Sequence, residues 1–168
     1  MAPFARYIFA LTIWLPAPIM AHAQSLRFAT DNQAPLLLAA GEMIWQRKKA
    51  QALLSENTSL TQGPLSLSAE NLAIKFAADG TPAHIRADGQ VVLSSQGDDE
   101  IAPRRATAER ALVDLAAQTI VLSGNVIMQA EADEAVQLSG AQLALNMASG
   151  RGRLSGAADK PRARIELR

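Results

Sequence analysis

The residues that could do chemistry in this chain are few and far apart. There is no cysteine, and the two histidines are His22 and His84. The sequence has neither a G-x-S-x-G nucleophile elbow nor a G-x-x-x-x-G-K phosphate loop. Catalysis by nucleophile and base would therefore rest on His84 alone, beside the start of an apolar run. We predict that the protein is not an enzyme, and a hydrolase stays only as a distant alternative.

The clusters of charged residues provide little further evidence for a chemical site. Asp98-Asp99-Glu100 and Glu131-Asp133-Glu134 could supply oxygen ligands to Ca²⁺, but their spacing matches no established calcium loop. We interpret both as solvated turns and predict no metal and no cofactor. Near the end of the chain stand the basic residues Lys160, Arg162, Arg164 and Arg168. They could bind phosphates of an anionic lipid or keep an edge strand soluble, and the sequence does not decide between these.

The first residues predict export. Residues 1–23 contain Arg6, a short apolar run from Ile8 to Leu15 and the ending Ala21-His22-Ala23, the pattern of a cleavable secretory signal peptide. The apolar run is shorter than a membrane-spanning helix requires. We expect cleavage after Ala23 and one domain over residues 24–168, located in the periplasm. That part carries a formal charge near zero and few aromatic residues, so nucleic acid is not an expected partner.

The body of the chain repeats itself. Phrases of the type I-V-L-S-G-N-V recur, and their equivalent residues Leu54, Ala87, Leu122 and Leu154 lie 33, 35 and 32 residues apart. A second phrase alternates with the first and is seen at 69–76, 108–115 and 140–147. A repeat of this length indicates a stack of similar supersecondary units.

Both phrases place apolar residues two apart, the period of a strand with one buried face. Each unit is thus predicted to be a pair of antiparallel strands, with a bulge or bend at Gly89 and near Asn125. Helix is an alternative for 106–117 on propensity. Residues 41–54 are ambiguous, and we interpret them as two strand pieces around a basic turn. The predicted inward-facing residues are Leu72, Ile74, Phe76, Val113, Leu115, Ile120, Leu122, Val126, Met128, Leu143, Leu145 and Met147.

Periodicity leaves two uses for this apolar face. It could be the packed core of a sandwich or solenoid, or the lining of a groove between splayed sheets that takes acyl chains.

The order of the phrases resembles a known family. The segments 120–129 and 140–154 are similar to the OstA-type repeat of the LptA family of lipopolysaccharide-transport bridge proteins. In that family V-L-T-G-N-V, G-D-x-L-x-V-x-L and T-G-R-A-R-L follow one another. Residues 31–36 resemble the family's opening strand. The likeness covers roughly residues 30–156; Asp88-Gly89-Gln90 replaces G-N, and Gly41 or Ala141 stands where the family has Asp.

The resemblance implies a fold and a function. The fold would be all-β, a β-jelly-roll of repeated antiparallel strand pairs, open along one side. The function would be to shield lipopolysaccharide acyl chains and bridge inner to outer membrane. Partners would be lipopolysaccharide, the inner-membrane-anchored and outer-membrane transport proteins, and further copies joined head to tail. They would pair with edge strands near 34–39 and 162–167, represented by Pro35, Leu36, Leu37, Leu38, Arg164, Ile165 and Glu166.

Other hypotheses remain at this point. The same repeat could belong to an anchored relative or to the N-terminal part of the outer-membrane translocon. An anchored relative would keep a longer apolar helix, and the translocon would continue into a large barrel. From a different class, the protein could be an exported β-scaffold that binds a protein and carries no lipid.

Overall fold

The computed structural model describes residues 26–130, 133–156 and 164–167, with side chains for all of these except residues 130, 133–136 and 164–167. The predicted signal peptide lies outside this part of the chain. Every described element except one three-residue turn is a β-strand. The strands are β1 (Leu36–Ala39), β2 (Glu42–Gln46), β3 (Gln51–Gln62), β4 (Leu65–Phe76), β5 (Pro82–Ser95), β6 (Arg104–Asp114), β7 (Thr119–Ala130), β8 (Asp133–Asn146), β9 (Gly152–Ser155) and β10 (Arg164–Leu167).

Two ambiguous segments are thereby settled. The helical alternative for 106–117 is wrong, because Arg104–Asp114 is a strand whose Ala111 and Val113 pair with Leu122 and Ile120 of β7. Burial against these neighbours outweighs the helix propensity of alanine and glutamate. The basic turn is confirmed as a 3-10 turn, Arg47–Lys49, between β2 and β3.

All neighbouring strands pair antiparallel in one sheet, in the order β1-β3-β4-β5-β6-β7-β8-β10. Two short strands lie off this path: β2 pairs with the first part of β3, and β9 pairs with the last part of β8. Each of the long strands β3 to β8 therefore runs through both halves of the sheet. We call the half that contains β1 and β10 the first half-sheet, and the half that contains β2 and β9 the second half-sheet.

A line of bulges separates the halves. The pairing register shifts once near the middle of each of the five central ladders, for example between Ser68 and Asn71 and between Ser123 and Val126. A bulge bends its strand and increases the local twist. Because all five shifts are adjacent, we call them the fold line, along which the sheet bends into its two halves.

Left-handed backbone produces the bend. In β5, Gly89 and Gln90 both have positive φ, 82° and 44°, and in β7, Gly124 and Asn125 have 83° and 44°. Glycine and asparagine adopt this region at the lowest cost. The G-N phrase of the sequence repeat is thus the corner of β7, and Gly89-Gln90 is the corner of β5, which confirms the predicted bend at Gly89 and near Asn125.

The two half-sheets fold onto each other. Side chains on one face of both halves form a single core cluster, and Leu67, Leu93, Ile85 and Leu122 are 0% exposed. A sheet face is buried to this degree only under a second layer. Among the described residues no helix is long enough to supply that layer, so each half-sheet covers the other.

Candidate functional site

The face that the two half-sheets bury is the candidate site, and we call it the inner face. All twelve residues predicted to face inward lie on it. Ten are buried, and Phe76 and Leu115 are partly buried and pack against the core cluster. Cross-strand register agrees, since Ile74 pairs with Ile85, Leu122 with Leu143 and Met128 with Leu138. Their contact with lipid stays a prediction.

At its centre the inner face is packed. The exposures of 0–1% at Ile74, Ile120 and Leu145 correspond to a closed core rather than to an open groove between splayed sheets. Each fully buried aliphatic side chain of this kind stabilises the fold by about 1.5–3 kcal/mol relative to its exposed state. Acyl chains could therefore occupy the centre only if the half-sheets move apart.

At the β2 end the inner face is open. Met43 pairs with Leu54 and Trp45 with Ala52, so both side chains lie on the inner face. They are nevertheless 59% and 52% exposed, because β2 is an edge strand and no other described strand covers it. Trp45 meets Phe76 edge to face, with ring centroids 4.7 Å apart. This aromatic pair begins a continuous apolar surface that leads into the core.

The opposite end of the sheet is also incompletely covered. Leu154 of β9 pairs with buried Leu143, and Leu138 of β8 pairs with buried Met128. Both leucines are partly buried and pack against the core cluster. The apolar inner face thus extends across the sheet from β2 to β9.

A segment that sequence reasoning missed closes the side opposite the fold line. We call residues 26–34 the strap and the side where the strand ends meet the mouth. The Phe28 amide donates to the Gly150 carbonyl at 2.7 Å, and the Ser95 hydroxyl donates to the Ala29 carbonyl at 3.1 Å. Gly150 follows β8 in the second half-sheet, whereas Ser95 ends β5 in the first. Consecutive strap residues therefore bridge the two half-sheets across the mouth.

The strap is held by the apolar side chains of Phe28 and Leu26 and by several polar contacts. Phe28 is 1% exposed and belongs to the core cluster. The Leu26 carbonyl accepts from the Gly152 amide at 2.5 Å, and the Gln62 side-chain amide donates to the Ala34 carbonyl at 3.1 Å. The sequence signal available for this segment was Phe28 itself, one of three aromatic residues after the predicted cleavage site.

The corners of the fold line carry a second feature that sequence reasoning missed. Glu70 of β4 accepts from the side-chain amide of Gln90 at 2.6 Å, and Glu109 of β6 accepts from that of Asn125 at 2.5 Å. Each carboxylate crosses over the glycine that precedes its amide partner, where a Cβ would collide with it. The recurring A-E phrase and the G-Q or G-N phrase are thus two halves of one repeated contact.

The isolated chemical groups have local roles. His84 is half exposed with Nδ1 3.6 Å from an Asp114 carboxylate oxygen, on the outer face of β5 and β6. Asp98 Oδ1 accepts from the amides of Glu100 and Ile101, which caps the loop before β6. Within the described part of the chain, no group of three or more His, Asp or Glu residues could hold a metal ion.

Several charged and edge residues singled out in the sequence lie outside the described part of the chain, or have only their backbone described. Glu131, Lys160, Arg162 and Arg168 are not described at all. Of Asp133, Glu134, Arg164, Ile165 and Glu166 only the backbone is described. The described helical residues include no segment that could cross a membrane.

The predicted partner strands are edge strands. β1, with Leu36, Leu37 and Leu38, begins the strand order, and β10, with Arg164, Ile165 and Glu166, ends it. Pro35 directly precedes β1. The prediction was incomplete, because β2 and β9 form the edges of the second half-sheet.

A bent antiparallel sheet that encloses an apolar face and leaves both ends unpaired defines an OstA-like, LptA-type β-jelly-roll. A family model described as LptA/(LptD N-terminal domain) LPS transport protein matches residues 38–151. The chain belongs to this family, which places it among transport proteins and not among enzymes.

A solved structure supports the fold. The chain is similar to the crystal structure of LptH, the LptA homologous periplasmic component of the conserved lipopolysaccharide transport device from Pseudomonas aeruginosa, with a TM-score of 0.68. The likeness covers 83% of this chain and 99% of LptH at 13% sequence identity. The comparison with curated proteins found no match.

Proposed function

We propose that this protein is a periplasmic carrier that shields the acyl chains of lipopolysaccharide on its inner face and links inner to outer membrane. The observation that carries the proposal is the continuous apolar inner face, exposed at Met43 and Trp45 and buried from Leu54 onward. A face that served only as core would gain nothing from two large apolar side chains left in water at its end. The predicted signal peptide and the family support the periplasmic location.

Movement of the half-sheets is part of this proposal. The centre of the inner face is closed, so acyl chains enter from the β2 end or through the mouth once the strap lifts. The strap is the weakest closure, because Phe28 is its only large fully buried side chain and its other contacts are the partly buried Leu26 and single hydrogen bonds. Lipid then replaces contacts between the half-sheets with contacts to acyl chains.

Three consecutive residues of β2 offer a matched test. Trp45 and Met43 face inward and are 52% and 59% exposed, whereas Ile44 faces outward and is 50% exposed. A photo-crosslinking residue at Trp45 or Met43 should capture lipopolysaccharide in cells, and one at Ile44 should not. These positions are better than buried ones such as Ile74, where the bulky probe would disturb the core. Equal capture at all three positions, or capture at Ile44 alone, would contradict the proposal.

The same experiment separates the other candidate function. Exposed Met43 and Trp45 would also fit a protein partner of an exported β-scaffold. That function would give crosslinks to protein at Trp45 and no lipid crosslink at any position of β2. Native mass spectrometry of the purified protein with added lipopolysaccharide then checks the result independently.

Edge pairing is the second part of the proposal. Among the described strands, β1 and β2 at one end and β9 and β10 at the other present unpaired edges, which favour β-augmentation by partner proteins or further copies. Cysteines at Leu37 and Ile165 together should give a ladder of disulfide-linked copies, since the chain has no other cysteine. Cysteines at Leu112 and Ile165 are the control, because Leu112 lies on a central strand; an equal ladder from this pair would contradict edge pairing.

A further inference from the structure

Among the residues whose side chains the structure describes, one charged residue, Arg104, lies on the largely apolar inner face. Arg104 begins β6 and pairs with Ser95 of β5, which is 2% exposed. Two residues further along β6 lies Ala106, which is 0% exposed and pairs with buried Leu93. Because side chains two apart share a face, Arg104 lies on the inner face. Among the residues whose side chains the structure describes, no other charged residue has this placement.

The position of Arg104 is at the mouth. Ser95, its cross-strand partner, donates its hydroxyl to the Ala29 carbonyl of the strap. Arg104 is thus at the end of the inner face where the strap crosses. A lipid that enters at the mouth with its acyl chains between the half-sheets would leave its head group at this level.

The guanidinium of Arg104 is not fully satisfied. Its Nε is buried and has no hydrogen-bond partner in the described structure. Burial also lowers the pKa of Arg104 below the usual value of arginine, because desolvation penalises the charged form. A buried donor without a partner costs free energy, and a planar guanidinium matches phosphate oxygens in a bidentate way.

We propose that Arg104 binds a phosphate of an anionic amphiphile whose acyl chains lie on the inner face. The inference rests on the proposed carrier function and adds the residue that recognises the head group. The ligand is therefore an acylated phosphate, as in lipid A, and not a free anion, because the face that holds Arg104 is otherwise lined mainly by buried aliphatic side chains.

Neighbouring residues supply matched variants. Arg104→Met removes the charge and keeps an unbranched side chain, and Arg104→Lys keeps the charge without the fork. Arg105→Met is the control, because Arg105 is the adjacent residue, is exposed and faces outward. The probes are lipid A and the same lipid A after enzymatic removal of both phosphates, each titrated against the full mature chain.

The expected loss of affinity is confined to the Arg104 variants and to the phosphorylated lipid. Arg104→Met should weaken binding of lipid A about tenfold, the loss of a charge-assisted hydrogen bond at a partly exposed site, and leave binding of the dephosphorylated lipid unchanged. Arg104→Lys should lie between Arg104→Met and the unchanged chain, and Arg105→Met should bind both lipids normally. Inorganic phosphate at millimolar concentration should not displace lipid A.

Other outcomes overturn the proposal in distinguishable ways. Equal weakening of both lipids by Arg104→Met would give Arg104 a structural role and no role in head-group recognition. Displacement by inorganic phosphate would indicate an anion site independent of acyl chains. Equal binding of both lipids by the unchanged chain would refute phosphate recognition while leaving the carrier function standing. Binding of neither lipid would refute the carrier function itself.

Discussion

Replacing Phe28 with alanine should loosen the strap without unfolding the sheet. The Phe28 side chain is 1% exposed and belongs to the core cluster, so truncation removes about 3–5 kcal/mol of packing free energy from the contacts that hold the strap. The remaining attachments are the partly buried Leu26 side chain, the small buried Ala29 and single hydrogen bonds, each bond worth about 0.5–1.5 kcal/mol net. We therefore expect the strap to detach in the variant while the two half-sheets stay folded.

This expectation limits the loss of global stability. If the strap detaches as a local unit, the free energy of unfolding can fall only by the free energy with which the strap was attached. The denaturant midpoint of Phe28→Ala should then fall by less than a core truncation of 3–5 kcal/mol would produce. Leu93→Ala, a truncation in the centre of β5, should show the full cost of about 2–5 kcal/mol.

Native-state hydrogen exchange measures the strap directly. The Phe28 and Gly152 amides bond across the contact between the strap and the β8–β9 turn, whereas the Leu93 amide lies in the middle of the sheet. In Phe28→Ala the first two amides should exchange a hundredfold or more faster, and the Leu93 amide should change little. Leu112→Ala, an outward and half-exposed position, is the control and should change stability by about 0.5 kcal/mol.

One result would refute the reasoning. If the Phe28, Gly152 and Leu93 amides exchange with the same free energy in the unchanged chain, and Phe28→Ala lowers all three equally, the strap belongs to the same cooperative unit as the sheet. Lipid would then have to enter at the β2 end. In the expected case, the Phe28→Ala variant should also take up lipid A faster than the unchanged chain, by fluorescence of labelled lipid.

Further variants test the corners and the isolated groups. Glu109→Ala should cost about 1 kcal/mol in urea unfolding, because it removes the exposed bond to Asn125, and an unchanged midpoint would contradict this role. Gly124→Ala should cost about 1–3 kcal/mol for its positive φ. The cost should be smaller in the background of Glu109→Ala, because that variant lacks the carboxylate with which the added methyl group collides. His84→Ala should leave lipid binding unchanged, and a loss would revive a catalytic or ligand role. Hydrogen bonds from Thr81 lower the pKa of Asp79, so its contribution is present above the unfolded-state pKa and lost as pH falls through the folded-state pKa; Asp79→Asn should remove that part of the acid dependence of unfolding.

The strands and their inward faces were predictable from the sequence. Alternation identified Leu72, Ile74, Leu143 and Leu145 as inward-facing, because apolar residues two apart in a strand share one face and the neighbouring phrases have the same pattern. The repeat also located the corners, since Gly124 and Asn125 are residue types that tolerate left-handed backbone. The hydrogen bond that a carboxylate makes across each corner could not be predicted, because it depends on the register between neighbouring strands.

Neither the strap nor the inward position of Arg104 was predicted, and the two failures have different reasons. Residues 26–34 have no periodicity, and their position depends on contacts with Gly150 and Ser95, which are distant in sequence. Arg104 could have been found, because it lies two residues before Ala106 and shares its face. The question whether the inner face is core or groove could not be settled by pattern, since both uses require the same apolar residues.

Each end of the sheet consists of two short edge strands that are separated at the fold line. This separation limits which strands can pair with that end. At one end, β1 and β2 are separated by Ala40 and Gly41, and at the other, β9 and β10 belong to different half-sheets. A long flat strand from an unrelated protein can pair with one short strand only and must leave the other unpaired. If the edges bind partners as proposed, full pairing needs a partner bent at the same place, which disfavours indiscriminate aggregation of the open ends and favours sheets of the same shape.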